Sequence, residues 1–175
     1  EILLIADAKR GDIGNTAKMY ARSLYEVMKF DAVTLSPYMG FDSIAPFLEY
    51  EGKWAIILGV TSNSGADDFQ LIEGNTGMPL FMEVFRKAAA WGNADQIMFV
   101  AGATRPDVFS EIRKIVPDHF LLVPGIGAQG GDLDGVVEKG MNSKCGLLVN
   151  SSRGIIFAGG DDHFAQSARI AAHDL

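Results

Sequence analysis

The sequence predicts an α/β fold: a (β/α)8 TIM barrel of which about six βα units, strands 3 to 8, lie in this chain. Short apolar, β-branched runs alternate six times with segments of helical spacing. The runs are apolar almost throughout, as parallel strands buried on both faces must be. A glycine pattern and an arginine suited to an anion follow the last two runs rather than the first, where a barrel places its phosphate site. No low-complexity linker divides the chain, so residues 1–175 read as one barrel domain of about 29 residues per unit.

The strands fall at Ile2–Ala6, Ala32–Ser36, Trp54–Val60, Gln96–Ala101, Phe120–Val123 and Gly146–Val149. Ala17, Tyr20, Ala21, Leu24 and Val27–Met28 recur at one helical face, with Asn15 ahead of them as an N-cap. Further helices are expected near Asp42–Glu49, Met78–Trp91, Pro106–Ile115, Asp132–Lys139 and Asp161–His173. Pro106 suits the first helical position. Met78–Phe85 reads as the core-facing side of its helix.

Six units fit a doubly wound open sheet as well as part of a barrel. The stretch FLLVPGIGAQGGD carries Gly125, Gly127 and Gly130 after a strand, formally G-x-G-x-x-G. A dinucleotide fingerprint normally follows the first strand, with an acid at the end of the next. Here the motif follows the fifth run, and the next one ends in NSSRG, with Arg153 and no acid. Glycine amides plus an arginine match the phosphate site after strands 7 and 8 of a barrel. The first visible strand is then strand 3, and the first two βα units, roughly 60–75 residues, are absent.

Bulk properties exclude several functions. A net charge of −7 argues against nucleic acid or an anionic membrane as partner. The single Cys145 excludes an intrachain disulfide framework and suits a reducing cytoplasm. No apolar run is long enough to span a membrane, and no signal peptide is visible. The first residue is Glu rather than Met, so the chain need not start where its gene does.

The chemistry concentrates in DAKRGD, residues 7–12, where charges of both signs stand at the end of an apolar strand. Residues two apart on a strand share a face, which puts Asp7 beside Lys9. At the C-terminal end of a barrel strand that face is the floor of an active site. An isolated D-x-K is more often a structural pair closing a strand. Here Asp12 adds a second carboxylate near the same ammonium, and a phosphate pattern lies elsewhere in the chain. Two carboxylates hold the lysine as an ammonium, poised to donate a proton rather than to form a Schiff base.

DAKRGDIGNT resembles the D-x-K-x-x-D signature of the orotidine 5′-phosphate decarboxylase family. TSNSGADDFQ, GATRPDVFSEIRKIVP, VPGIGAQGGD and NSSRGIIFA resemble further family segments in order, most closely those of its longer bacterial branch. The resemblance covers nearly the whole chain. It implies decarboxylation of orotidine 5′-monophosphate to uridine 5′-monophosphate in pyrimidine synthesis, without cofactor or metal, in a cytoplasmic homodimer. It further implies Asp7 beside the substrate carboxylate and Lys9 as proton donor to C6. Asp12, with Ile13 and Thr16, would reach the neighbouring subunit's site. Gln129 and Arg153, with amides near Gly130 and Ser152, would hold the phosphate, and Ser62 and Asn63 would meet the pyrimidine. The family also uses an aspartate after strand 1 and a lysine after strand 2, in the units absent here.

Three other readings compete. A magnesium-dependent sugar-phosphate decarboxylase or aldolase of the same suprafamily shares D-x-K-x-x-D, but the Gln129 segment counts against it. A non-catalytic phosphate-binding fragment fits the missing strands and not the intact signature. A dinucleotide-binding domain ranks last. Elsewhere, His119, His163 and His173 read as surface residues, and Asp67–Asp68 and Asp161–Asp162 as acids at helix N-termini. Trp54 and Trp91 read as packing residues, Cys145 as inert, and Arg105 as a residue that could line the site.

Overall fold

Strand order settles the architecture. The computed structural model describes residues 2–127 and 130–175, and Gln129 lies outside them. Its six strands are β1 (Ile5–Arg10), β2 (Ala32–Leu35), β3 (Trp54–Val60), β4 (Ile97–Ala101), β5 (Leu121–Pro124) and β6 (Leu147–Asn150). All neighbouring pairs are parallel, and the order is β1-β2-β3-β4-β5-β6. A doubly wound sheet reverses direction at a switch point. This sheet has none, so it is a barrel wall.

The helices are α1 (Gly14–Ala21), α2 (Ala45–Leu48), α3 (Leu80–Ala88), α4 (Val108–Ile115), α5 (Leu133–Gly140), α6 (Arg153–Ile156) and α7 (Phe164–His173). Strand residues alternate between two cores, as a period of two requires. Val33, Leu35, Ile57, Phe99, Leu121 and Val123 face Phe47, Phe85, Phe109 and Ile112 on the helix side. Ala32, Ile56, Met98 and Val100 form the opposite, inner core. There Ile5, Leu58, Val100, Leu122 and Leu148 line one hollow, as the inner face of a curled sheet would.

One guanidinium ties the lower rim of this wall together. Arg113 on α4 donates to the carbonyls of Gly140 (2.6 Å), Val116 (3.0 Å), His119 (2.7 Å) and Gly146 (2.8 Å). It thereby joins the ends of α4 and α5 to the entries of β5 and β6. Bonds from a charged donor are worth roughly 1.5–3 kcal/mol each.

Several expectations need correction. The first strand runs to Arg10, so Asp7, Lys9 and Arg10 stand within it and Asp12 beyond it, because β1 keeps pairing with β2 across a bulge between Ala6 and Arg10. Asn15 caps nothing. Gly14, at φ +58°, turns the chain into α1 two residues earlier, and Ile13 occupies the cap position. The helix then widens into a π-helical turn over Arg22–Val27, which buries both Leu24 and Tyr25. Pro106 precedes α4 by two residues, accepting from Phe109 N at 3.2 Å. Asp67 and Asp68 close a 3-10 turn over Ser64–Asp68 rather than start a helix, and Asp67 pairs with Arg105.

His119 is not a surface residue. Its ring lies 5.5 Å from that of Phe99, and both ring nitrogens are buried without a hydrogen-bond partner among the described residues. Burial pushes its pKa down, with the charge of Arg113 adding to this and Asp118 opposing it. The unfolded chain therefore takes up a proton more readily, and stability should fall as pH drops below about 6.5, levelling off below the folded pKa. His119→Phe should raise stability by roughly 1–3 kcal/mol and flatten that pH dependence. Urea denaturation between pH 5 and 8 checks both, and a variant no more stable than the wild type would count against an unpaired imidazole.

Candidate active site

The bulge in β1 positions the charged pair. Lys9 takes φ +47°, a conformation costly for a side-chain-bearing residue. Thr34 of β2 secures it: its hydroxyl oxygen accepts from Lys9 N at 3.0 Å and donates to Asp7 Oδ1 at 3.0 Å. Thr34 is 1% exposed in an otherwise apolar strand. The Lys9 ammonium then closes on both Asp7 oxygens at 2.5 Å. Burial pushes the Asp7 carboxyl up, but hydrogen bonds from Lys9 and Thr34 and the charge of Lys9 outweigh it. Its pKa lies below the ordinary carboxylate value.

Both side chains are more than half exposed, Lys9 at 53% and Asp7 at 65%. A pair so open adds little stability. It opens onto a hollow of about 760 Å³ on the inner face of the sheet. Ser62 and Asn63, after β3, Asn150, the last residue of β6, and Ser152 beyond it share that hollow. The carboxylate–ammonium pair thus stands at the C-terminal ends of the strands, where barrel chemistry is done.

The loop after β4 holds Ser62 in place. Thr104 donates to the Ser62 carbonyl at 3.2 Å, and Arg105 pairs with Asp67 beyond it. Gly102 permits this approach, since a Cβ there would meet Ser62 N at 2.6 Å. Thr61 and Gln70 complete the segment. Gln70 Oε1 accepts from Thr61 N at 2.8 Å, and Gln70 Nε2 donates to Thr61 Oγ1 at 2.9 Å.

The glycine-rich turn lies beside the end of β6, because Pro124 pairs with Asn150 in register. Gly125, Gly127 and Gly130 all take positive φ, from +73° to +100°, and Gly131 N donates back to Gly125 O at 3.1 Å. Arg153 opens α6 next to this turn, exposed and outside the hollow's lining. Gly130 is likewise exposed.

Asp12 departs from the expected second carboxylate around Lys9. It pairs with no ammonium among the described residues; its Oδ1 accepts from Ile13 N at 2.8 Å instead. The bulge in β1, with Lys9 at positive φ, breaks the strand alternation that would have set Asp12 beside Lys9. Ile13 is 48% exposed, and Thr16 is also exposed, both outside the hollow. Sequence reasoning passed over Thr34, Thr61, Gln70 and Asn150. Thr34 alone carried a signal, as the one polar residue in AVTL. No three His, Cys, Asp or Glu side chains converge as a metal site among the described residues.

A protein-family model described as "Orotidine 5'-phosphate decarboxylase / HUMPS family" matches residues 1–168. The chain belongs to this family. Among relatives, an orotidine 5'-phosphate decarboxylase of Bacteroides fragilis is 59% identical over 172 residues, 98% of this chain and 63% of that protein. One of Flavobacterium johnsoniae is 55% identical over 172 residues, again 98% of this chain and 63% of the relative. The chain therefore spans a little under two thirds of the length of these decarboxylases. Among solved structures, the Leishmania donovani OMP decarboxylase superposes with a TM-score of 0.84 at 34% identity, over 97% of this chain and 66% of its own. Six consecutive strands of a decarboxylase-family barrel are thus accounted for.

Thr34→Val keeps the shape of the side chain and removes its hydroxyl. The Asp7 carboxyl loses one of the bonds that lower it, so its pKa should rise toward or past the ordinary value. Carbon-detected nuclear magnetic resonance of Asp7 through an acid titration measures this. An unchanged Asp7 titration would mean that the Thr34 bond is not formed in solution.

Proposed function

We propose that this protein decarboxylates orotidine 5′-monophosphate to uridine 5′-monophosphate, and that Asp7 and Lys9 carry the reaction. The observation behind this is the Lys9 ammonium clamped on Asp7 at the mouth of an open hollow, in a chain of this family. The C6–carboxylate bond breaks, CO2 leaves, and the electron pair stays on C6 in an orbital that the ring cannot delocalise. A preorganised ammonium stabilises that charge before giving up its proton to it. Asp7 repels the substrate carboxylate until CO2 departs. Two unit charges about 4 Å apart at an effective dielectric near 20 repel by roughly 4 kcal/mol. Enzymes commonly supply about 8–23 kcal/mol, so repulsion alone is insufficient. The preorganised Lys9–Asp7 array and binding energy from the distal phosphate provide the rest.

In this reading Ser62 and Asn63 meet the pyrimidine, while Gln129, Gly130, Ser152 and Arg153 hold the phosphate. The positive-φ glycines leave backbone amides uncovered by side chains, which suits an anion. The half-buried Asp12 and the exposed Ile13 and Thr16 belong to a homodimer interface and complete the partner subunit's site. Their placement outside this chain's own hollow supports that role. No cofactor enters the reaction. The domain is one barrel, in which two further βα units join β1 to β6; those edges pair with no other strand among the described residues. No helix among the described residues is long and apolar enough to cross a membrane, and a cytoplasmic site of action fits the single Cys145.

The protein expressed from its complete gene should convert orotidine 5′-monophosphate in excess chelator, followed by ultraviolet absorbance. Absence of conversion by a folded dimer would point to a magnesium-dependent sugar-phosphate reaction instead. Lys9→Ala should lower turnover by at least about 10,000-fold while uridine 5′-monophosphate still binds. Retained turnover removes Lys9 as the acid. Arg153→Ala should weaken nucleoside monophosphates far more than nucleosides, and equal losses would refute its phosphate contact. Mixing Asp12→Ala with Lys9→Ala subunits should restore part of the activity; confirmed heterodimers without recovery would argue against shared sites.

A further inference from the structure

Beside the charged pair, the hollow is lined by an amide whose orientation is set from behind. The chain of bonds starts at a group that can only donate. Thr61 N donates to the Gln70 carboxamide at 2.8 Å, so the atom it meets must be the oxygen, Oε1. The nitrogen of Gln70 then faces Thr61 Oγ1 at 2.9 Å and donates to it. Thr61 Oγ1 has one proton left to give, and the atom within reach, at 2.6 Å, belongs to the side-chain amide of Asn63. With the Thr61 proton directed at it, that atom is the acceptor, Oδ1. The orientation of Asn63 is thereby linked to a backbone N–H three hydrogen bonds away. Its Nδ2 has no hydrogen-bond partner among the described residues. Gly65 leaves room beside it, since a Cβ there would lie 3.2 Å away. Gln70 is itself fixed at both backbone ends, its N bonded to Ala66 O at 2.8 Å and its O to Phe81 N at 3.0 Å.

We propose that Gln70 is a positioning residue that holds Asn63 with its N–H donors available to the ligand, so that the site selects a carbonyl over an amino group. The proposal rests on reading the hollow as a pyrimidine nucleotide site. Uracil and cytosine are the natural pair to separate, because they differ at one ring edge in this way: a carbonyl beside an N–H, or an amino group beside a bare nitrogen. A donor on Asn63 matches the carbonyl of the first and is left facing the amino group of the second.

Gln70→Glu inverts the chain. A carboxylate has acceptors only, so it takes both the Thr61 N–H and the Thr61 O–H. The Thr61 oxygen can then only accept, and Asn63 must rotate to donate to it, which presents Oδ1 to the ligand. The added negative charge acts on uridine 5′-monophosphate and cytidine 5′-monophosphate alike and cancels in the ratio of their affinities. Calorimetric titration of both nucleotides should show the wild type favouring uridine 5′-monophosphate. The ratio should shift toward cytidine 5′-monophosphate by roughly tenfold in Gln70→Glu, the scale of one or two exchanged hydrogen bonds. Thr61→Val cuts the chain, and should move the ratio toward one without that larger shift.

A measurement without ligand separates the two layers of the proposal. Nuclear Overhauser contacts between the Asn63 amide protons and the Thr61 methyl should be weak in the wild type and strong in Gln70→Glu. Strong contacts already in the wild type overturn the orientation. A rotated amide with an unchanged nucleotide ratio overturns the selectivity. If the amide rotates and neither nucleotide binds any form, the nucleotide reading of the hollow fails while the orienting role of Gln70 stands.

Discussion

A parallel sheet whose strands follow one another in chain order must cover one face with all its connecting helices, and the other face is left to the strands themselves. Every other feature of this molecule follows from that constraint. The helix side takes the large aromatic residues, Phe47, Phe85, Phe99 and Phe109, because five of the helices, α1 to α5, pack there. The inner side is centred on Ala32, Ile56, Met98 and Val100, with Trp54 and Phe120 packed against them. Polar chemistry is then confined to the strand ends, where side chains leave the core and backbone groups need partners. Asp7, Lys9 and Asn150 stand at that end of their strands, and Ser62 just past the end of β3.

Within that frame the site is built by polar groups that do no chemistry themselves. Thr34 is buried where a hydrophobic residue would pack as well, and its hydroxyl offsets the cost of the Lys9 backbone conformation. The charged pair adds little to stability in so open a position. Its geometry comes from the neighbouring strand, which is the usual arrangement for a preorganised electrostatic site. Gln70 and Thr61 do the same for the amide of Asn63, just past the end of β3. At the opposite rim, Arg113 binds four carbonyls and fixes how β5 and β6 enter the sheet. That in turn sets Pro124 beside Asn150, and so the glycine turn beside Arg153.

The sequence by itself determined the strands, the barrel class and the pairing of Asp7 with Lys9. Apolar β-branched runs report burial on both faces, and alternation along a strand reports shared direction, and both are local properties. Gly125, Gly127 and Gly130 of VPGIGAQGGD were legible for the same reason, since positive φ is a demand on a single residue. Only the tertiary structure decided what depends on a partner distant in the chain. The Thr34 bonds span 25 and 27 residues, and those of Arg113 to Gly140 and Gly146 span 27 and 33. His119 is buried because Phe99 comes to lie against it, which no local pattern announces. Asp12 looked like a second partner for Lys9 because it is near in sequence. The bulge in β1 and the positive φ of Lys9 redirect the backbone ahead of Asp12, and a spacing rule for regular strands cannot register either.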